Sequence, residues 1–297
     1  MTIGILYESK EWSDFALRDH IASMGAPVKL IDMQEDISTE ELLSCSLVIS
    51  RIFASSVFRG HGKALDQMPT VIELLEKNRI PMINPAEAHY YEISKTRTKE
   101  VLEMQGFSVP KLYGSFYPAQ IKENAEIPDL PGIEYPCVVK PDCGGRTSHT
   151  FIAHDREELR EGMTDVPDVM YIAEEYIRPD KGYVTRLEII GGECVLAVKR
   201  SVTANGLSAY HLGSVYEFYP DLPHAIGETA IKAMELLHIE AGSMDIIEND
   251  TDIINNETGS YIIDVNSVSN VSEDNTEMFK LDLMKETAAY AVARYSL

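Results

Sequence analysis

Residues 135–145 of the chain read YPCVVKPDCGG. The apolar run is typical of a buried strand, and Lys140 stands where that strand ends, directly before a turn that contains Gly144 and Gly145. Glycines let the backbone come close to a ligand, and successive N–H groups in such a turn can receive anionic oxygens. The stretch favours a phosphate-binding strand followed by a loop that acts as a lid. The alternative is a surface turn whose lysine stem lies along apolar side chains.

A second polar set lies near the end of the sequence. Asp264 and Asn266 are two residues apart in the apolar segment IIDVN, so on a strand they point to the same face. Asp245, in the earlier segment MDII, lies opposite them if the two segments pair as a hairpin. Two carboxylates and an amide oxygen suit a Mg²⁺ ion that carries nucleotide phosphates. A polar stripe that faces solvent is the alternative.

Two lysines stand in the first turns of a predicted helix. Ser94 is suited to cap a helix that begins at Lys95 and ends near Gly106. The helix dipole disfavours a lysine at this position unless an anion is close. Lys99, one turn later, is interpreted as part of a solvent-exposed surface of lysines and glutamates.

A predicted hairpin turns at two successive glycines, at residues 191–192. Arg186 lies on its first strand, and Lys199 and Arg200 lie on its second. These cations could supply charge to a transferring phosphoryl group. They could equally form surface ion pairs with the many acidic residues.

The segment AEEYIRPDKG, residues 173–182, follows a predicted strand and starts with paired carboxylates. Its backbone groups can pair with an adenine edge, while Glu174 or Asp180 accepts hydrogen bonds from the base or the ribose. An ordinary connection between domains explains the segment about as well.

The order of apolar patterns indicates one α/β part followed by α+β parts. Residues 1–90 alternate short apolar runs with helical patterns, which predicts a parallel sheet covered by helices. Antiparallel hairpins dominate the second half of the chain. Helices are predicted at residues 12–24, 156–162, 222–238 and 274–295, and a surface connection at residues 119–136.

Composition excludes several classes of protein. The chain has 297 residues and a net charge of −22, from 48 acidic and 26 basic residues, so a polyanionic partner such as nucleic acid is disfavoured. Four scattered cysteines suggest neither a zinc site nor a disulfide framework. No uninterrupted apolar stretch of membrane-spanning length and no secretory signal are present, so we expect a cytoplasmic protein without a membrane partner.

Taken in order, these features resemble the ATP-grasp superfamily, and within it the glutathione-synthetase-like group that includes the RimK-type carboxylate-amine ligases. The most specific stretches are NPAEAHYYEISKTRTKEVLEMQGFSVPKLY, YPCVVKPDCGG, and GSMDII with IIDVN. The resemblance covers essentially the whole chain and implies an ATP-grasp fold, combining α/β and α+β parts. It implies a Rossmann-like parallel-sheet domain over residues 1–90, a central subdomain with a glycine-rich lid over 91–173, and a C-terminal subdomain with a Mg²⁺ site over 174–297. The two subdomains would sandwich ATP.

The resemblance also implies roles for individual residues. ATP would contact the phosphate-binding residues, the adenine hinge and two further polar residues: Lys95, Lys140, Gly144, Gly145, Glu174, Glu175, Tyr176, Ile177, Asp180 and Arg186. Mg²⁺, with Mn²⁺ as an alternative, would be held by Asp245, Asp264 and Asn266. Arg200 and Lys140 would be catalytic at the transferring phosphoryl group, and Arg51, Arg59 and Asn205 would bind substrate.

Three positions depart from the family pattern. Val184 stands where relatives commonly have an acidic residue two positions before the arginine matched to Arg186, so Asp180 is expected to replace it at the ribose. Relatives often carry glutamate at the position of Asp264, and the usual glycine pair after Asn205 is absent.

The resemblance favours an enzyme that uses ATP and Mg²⁺ to join a small carboxylate to an amine, such as an amino acid like glutamate, through an acyl phosphate. The resemblance alone leads us to expect a homo-oligomer. An ATP-grasp enzyme with another acceptor, as in carboxylation or purine chemistry, is one alternative. A nucleotide-binding regulatory module without turnover is another. Cys143, in the glycine loop, is interpreted as a packed thiol and not as a nucleophile.

Overall fold

Three β-sheets follow one another along the chain in the computed structural model, which describes residues 2–123, 130, 132–249, 259–269 and 271–295. The first sheet is parallel and the other two are antiparallel. This arrangement confirms the predicted combination of an α/β part with α+β parts. Among the described helices, none combines the length and the apolarity that a bilayer span requires.

The first sheet has the strand order β2-β1-β3-β4. Its strands are β1 (Thr2–Tyr7), β2 (Val28–Asp32), β3 (Cys45–Arg51) and β4 (Met82–Ile83). Its helices are α1 (Trp12–Ser23), α2 (Thr39–Leu43) and α3 (Gly62–Lys77), with a 3-10 helix at Ala54–Phe58. Two more helices, α4 (Ala86–Glu92) and α5 (Lys95–Met104), lead to the second sheet.

The second sheet has the order β5-β8-β6-β7. Its strands are β5 (Leu112–Phe116), β6 (Cys137–Pro141), β7 (Phe151–Ala153) and β8 (Tyr171–Glu175). Helix α6 (Pro118–Glu123) lies in the predicted connection, of which residues 124–129 and 131 are outside the described residues. Helix α7 (Arg156–Gly162) has the predicted bounds and is capped by Asp155.

The third sheet has the order β11-β10-β9-β12-β13. Its strands are β9 (Tyr183–Ile190), β10 (Glu193–Ser201), β11 (Tyr216–Phe218), β12 (Ala241–Glu248) and β13 (Ser260–Asn266), with helix α8 (His224–Leu236) and a 3-10 helix at Tyr210–Leu212. Both glycines of the predicted β9–β10 turn have positive φ, which suits residues without a Cβ. Strands β12 and β13 pair as expected, and residues 250–258 between them are outside the described residues.

The sequence predicts a single C-terminal helix at residues 274–295, and this prediction is wrong. The structure has two helices, α9 (Glu273–Phe279) and α10 (Leu283–Tyr295). Lys280 between them has a φ of 52°, a left-handed conformation that ends α9. Asp282 then accepts a hydrogen bond from the N–H of Lys285 at 3.0 Å and starts α10.

Two helical segments pack outside the parts of the chain to which their positions assign them. Leu283 and Met284 of α10 join the apolar core that contains Ile3 and Leu17 of the first part. In the same way, the α5 side chain of Leu102 packs into the core beneath the third sheet. The predicted division after residue 173 falls inside β8, and the packing of α5 and α10 does not follow the linear order of the sheets.

Two buried polar residues join the first part of the chain to the third sheet. Asn84 donates to the carbonyls of Ala241 and Ser267 at 2.8 and 2.7 Å, and its Oδ1 accepts from the N–H groups of Glu240 and Ala241. Glu92 accepts from the N–H of Ala54 at 3.0 Å and from the N–H of Ser267 at 2.7 Å. These contacts fix one wall of the cleft in which the candidate site lies.

Candidate active site

Charged residues form a row across one face of the third sheet. Strands β9, β12 and β13 place Arg186, Asp245 and Asp264 side by side in register. Arg200 lies two positions beyond the β10 partner of Arg186, so it points to the same face. Arg200 Nη2 is 2.5 Å from Asp245 Oδ2, and Arg186 Nε is 2.7 Å from Glu188 Oε1. The hairpin thus brings together the two carboxylates that were paired from the sequence.

Lys95 reaches this row from the first turn of α5. Ser94 caps the helix by accepting from the N–H of Arg97 at 3.2 Å, and Lys95 Nζ donates to Asp264 Oδ1 at 2.8 Å. Burial alone would raise the pKa of Asp264, but the charges of Lys95 and Lys140 lower it to about 2. The carboxylate is therefore ionised at neutral pH, and it is the anion that the position of Lys95 requires.

Asp142 holds the end of β6 against the start of α5. Its carboxylate accepts from the N–H of Thr96 at 2.7 Å and from Ser94 Oγ at 3.0 Å, and its carbonyl accepts from the N–H of Lys95 at 3.1 Å. These bonds set Lys140, two residues earlier, next to Lys95. Sequence reasoning missed Asp142, because one acidic residue after a strand is too common a signal.

Behind Lys140 lies a buried carboxylate shared by two lysines. Lys140 Nζ donates to Glu174 Oε1 at 2.8 Å and to the Ile263 carbonyl at 3.1 Å. Lys99 Nζ lies 2.9 Å from the other oxygen, Glu174 Oε2. The interpretation of Lys99 as solvent-exposed is wrong: the residue is 5% exposed, because α5 turns this face toward the strands that carry Glu174 and Lys140.

A cavity of about 140 Å³ lies between the second and third sheets. Its polar end is lined by Lys95, Lys140, Arg200, Asp245 and Asp264. Its less polar end is lined by Val138, Tyr176, Ile177, Val184, Ile247 and Ile263. Gly144, Gly145, Glu174 and Glu175 also line it. One charged end and one apolar end suit a nucleotide with its phosphates at the first and its base at the second.

The hinge side chains are held by their own contacts. Both oxygens of Glu174 face lysines, so its carboxylate is not turned toward a base. Glu175 Oε2 accepts from the N–H of Lys111 at 3.2 Å. Tyr176 donates its hydroxyl to the Gly206 carbonyl at 3.5 Å. The N–H of Glu175 also donates to the Lys111 carbonyl, at 2.9 Å, so the backbone beyond β8, at Tyr176 and Ile177, is the part of the predicted hinge that could meet an adenine.

Asp180 and Asn205 are not among the described residues that line this cavity or the second cavity that adjoins it. The N–H of Asp180 donates to Asn249 Oδ1 at 3.1 Å. Asn205 Oδ1 accepts from the N–H of Leu207 at 3.1 Å and closes a turn. The structure therefore does not bring these two side chains to the positions that the resemblance implies. Val184, by contrast, lines the first cavity with its apolar side chain.

A second cavity, of about 370 Å³, adjoins the polar end of the first and shares Arg200, Asp245 and Asp264 with it. Arg146, Arg186 and Asn266 also line it, together with the aromatic residues Phe53, Tyr210, His211 and Tyr216. Its size and position leave room for a molecule that reacts at the phosphate end.

Arg51 and Arg59 are not brought to this cavity. Arg51 is 5% exposed, and its guanidinium donates to Asp14 Oδ1, Ser13 Oγ and the Ser269 carbonyl. Arg59 is engaged by Glu8 and Glu11. Their assignment to a substrate carboxylate is corrected, because buried acids of the first part of the chain already occupy them. Among the described residues, Arg146 and Arg186 are the additional arginines that line the cavity.

The oxygen atoms of Asp245, Asp264 and Asn266 are suited to hold Mg²⁺. Asp245 Oδ1 is buried and has no hydrogen-bond partner among the described residues, and Arg186 Nη1 is 3.6 Å from it. Such an oxygen is costly unless a cation meets it. No group of three or more His, Cys, Asp or Glu side chains is arranged as a metal site in the described part of the chain. Phosphate oxygens would therefore have to complete the coordination.

The glycine loop docks on the 3-10 helix at Ala54–Phe58. A Cβ at Gly144 would lie 2.9 Å from Phe58 Cε2, so a larger residue there would require the Phe58 ring to move. Arg146 pairs with Glu11 at 2.5 Å, and the His149 ring lies edge-on to Phe58. Burial raises the pKa of the Cys143 thiol to about 11, which agrees with its interpretation as a packed thiol.

Comparison with known proteins agrees with this geometry. Residues 92–290 match the family model of the RimK-like ATP-grasp domain. The chain is 24% identical over 284 residues to a probable alpha-L-glutamate ligase of Aliivibrio salmonicida, covering 90% of this chain and 87% of the relative. It is 29% identical over 147 residues to a D-alanine–D-alanine ligase of Pediococcus pentosaceus, a match that covers 46% of this chain but only 39% of the relative.

Among solved structures, the ATP-grasp ligase PsnB in complex with a minimal precursor, Mg and ADP superimposes with a TM-score of 0.65. The sequence identity is 13%, and the match covers 99% of this chain and 98% of PsnB. At this identity the likeness shows the shared fold.

Proposed function

Because the chain belongs to the RimK-like ATP-grasp family, we propose that it is an ATP- and Mg²⁺-dependent ligase that joins a small carboxylate to an amine. The acceptor class we favour is an amino acid, such as glutamate. The relatives named as alpha-L-glutamate and D-alanine–D-alanine ligases support this reaction type.

One observation carries the proposal. Lys95 on α5 and Lys140 on β6 meet Asp264 on β13 at the polar end of one cavity, although the three residues come from separate elements. Such convergence of cations with an oxygen donor set is what a triphosphate requires, because its oxygens repel any attacking anion.

In the proposed first step, a carboxylate oxygen of the substrate in the larger cavity attacks the γ-phosphorus, and ADP leaves. Lys95, Lys140 and Arg200 neutralise phosphate oxygens and hold the two reactants in line. When bound by Asp245, Asp264 and Asn266, Mg²⁺ supplies further charge neutralisation to the phosphates.

In the second step, the amine attacks the acyl carbon, phosphate leaves, and the nitrogen gives up a proton. Water would hydrolyse the acyl phosphate before this attack. We expect the glycine loop, whose residues Gly145 and Arg146 line both cavities, to cover the acyl phosphate and exclude water.

The test is ADP formation with ATP, Mg²⁺ and a panel of paired amino acids and carboxylates, with the product identified by mass spectrometry. We expect one ADP and one phosphate for each amide formed. Lys140→Met should reduce the rate by about 10²-fold. As a control, Lys63→Met removes the same charge from an exposed pair with Asp36. Nucleotide binding without any pair that stimulates ADP formation would instead favour a regulatory module.

A further inference from the structure

Three buried charged groups form a chain that ends at the nucleotide cavity. Lys140 lines the cavity, Glu174 lies behind it, and Lys99 lies behind Glu174. Each carboxylate oxygen of Glu174 faces one ammonium group, at 2.8 Å for Lys140 and 2.9 Å for Lys99. The side chains of Lys99 and Glu174 are 6% and 3% exposed, so solvent screens this chain little.

Lys99 pairs with the carboxylate oxygen of Glu174 that Lys140 does not use. Its Nζ is buried and lies 2.9 Å from Glu174 Oε2. Because Glu174 is already paired with Lys140, a second buried ammonium group at the same carboxylate calls for an explanation beyond local pairing.

The charge balance of the cavity supplies that explanation. Each cation that faces the phosphate end has an acidic partner of its own: Lys95 with Asp264, Lys140 with Glu174, Arg200 with Asp245, and Arg186 with Glu188. Glu174 thus cancels much of the field of Lys140 at an incoming phosphate. Lys99 is the charge beyond this one-to-one pairing, and it leaves the three-residue chain with a net charge of +1.

Lys99 and Glu174 both keep their charges at neutral pH. Burial lowers the pKa of Lys99 against the opposing pull of Glu174, to about 8, so the ammonium form still prevails at pH 7. Burial would raise the pKa of Glu174, but Lys140 and Lys99 more than offset it and the pKa is lowered.

We propose that Lys99 is a positioning residue for the nucleotide: it neutralises Glu174, so that Glu174 can orient Lys140 toward the phosphates without cancelling the positive charge of Lys140. This inference rests on the nucleotide binding in the proposed function and assigns a role to a residue that does not touch the nucleotide cavity. It requires an electrostatic effect that is transmitted through Glu174.

The test compares the affinity for ATP with Mg²⁺ in four proteins, by isothermal titration calorimetry at pH 7. Lys99→Met leaves Lys140 and Glu174 as a neutral pair, and we expect ATP to bind about tenfold more weakly. Lys99→Met with Glu174→Gln leaves Lys140 as a single positive charge, and the glutamine oxygen can still accept its hydrogen bond. This double variant should recover most of the lost affinity, to within about threefold of the unmodified chain. Lys63→Met, the exposed control, should bind ATP normally.

Thermal unfolding of each variant shows that the folded protein is being titrated. If folded Lys99→Met binds ATP as tightly as the unmodified chain, the inference is wrong. It is equally wrong if the double variant binds as weakly as Lys99→Met, because a packing role would not be rescued by removing a charge. If the unmodified chain itself fails to bind ATP, the proposed function is wrong, and so is the role of Lys99 that depends on it.

Discussion

Lys95 Nζ lies 2.8 Å from Asp264 Oδ1, although the two residues are 169 positions apart in the sequence. The contact joins the first turn of α5 to the last sheet strand, β13. It places a cation and a metal-suited carboxylate at the same end of a cavity. The candidate site is built around this junction.

Replacing the carboxylate at this junction tests the metal site. Asp264→Asn removes one anionic oxygen donor and leaves Lys95 without its partner, so we expect weaker binding of the divalent ion, by at least about tenfold. Mn²⁺ affinity in the presence of ADP, measured by electron paramagnetic resonance, gives a direct readout. Asp36→Asn, an exposed acid paired with Lys63, serves as the control. Equal Mn²⁺ affinity in both variants would remove Asp264 from the metal site.

His89 should make the fold sensitive to acid. Burial lowers its pKa from 6.5 to about 4, so the folded chain keeps the ring neutral where the unfolded chain binds a proton. Above pH 6.5 the ring is neutral in both states and the free energy of unfolding is unaffected. As the pH falls from 6.5 toward 4, protonation of the unfolded chain lowers the free energy of unfolding, by about 3 kcal/mol in total. We therefore expect His89→Gln to flatten the pH dependence of the free energy of unfolding in this window.

The measurement is urea unfolding at several pH values between 4 and 7. His224→Gln is the matched control, because the side chain of His224 is 88% exposed. An identical slope in His89→Gln and the unmodified chain would contradict the prediction.

Asn84 should matter to stability more than its size suggests. Asn84→Ala leaves backbone groups of Glu240, Ala241 and Ser267, which are partly or fully buried, without their Asn84 partner. We expect a loss of about 2–4 kcal/mol in the free energy of unfolding, measured with urea. Asn78→Ala removes a single bond to the Leu74 carbonyl at an exposed helix end and should cost under about 1 kcal/mol. Similar losses in the two variants would show that the hydrogen bonds of Asn84 contribute little to stability.

Arg51 should prove structural. Arg51→Met leaves Asp14 buried without its cation, and we expect a loss of about 3–5 kcal/mol in the free energy of unfolding. The KM for the carboxylate substrate of the folded variant should not change, because Arg51 lines neither of the two cavities of the candidate site. Arg18→Met breaks an exposed pair with Asp19 and should have little effect. A large rise in KM with normal stability would restore the substrate assignment.

Local pattern was sufficient for many elements and insufficient where the chain folds back on itself. The bounds of α7, the capped start of α5 at Ser94 and the turn between β9 and β10 follow from caps and glycines, which act over a few residues. The break at Lys280 was missed, because a lysine in a left-handed conformation has no sequence signature.

The sequence by itself determined the order of the sheets, the strand-end lysine before the glycine loop, and the shared face of Asp264 and Asn266, since strand periodicity fixes these. Only the tertiary structure decided which cations remain for a ligand. Arg51 is taken up by Asp14 of α1, and Lys99 is buried against Glu174 of β8. An ion pair forms between residues that packing brings within a few ångströms. The sequence around one charged residue does not reveal a partner that lies far away in the chain.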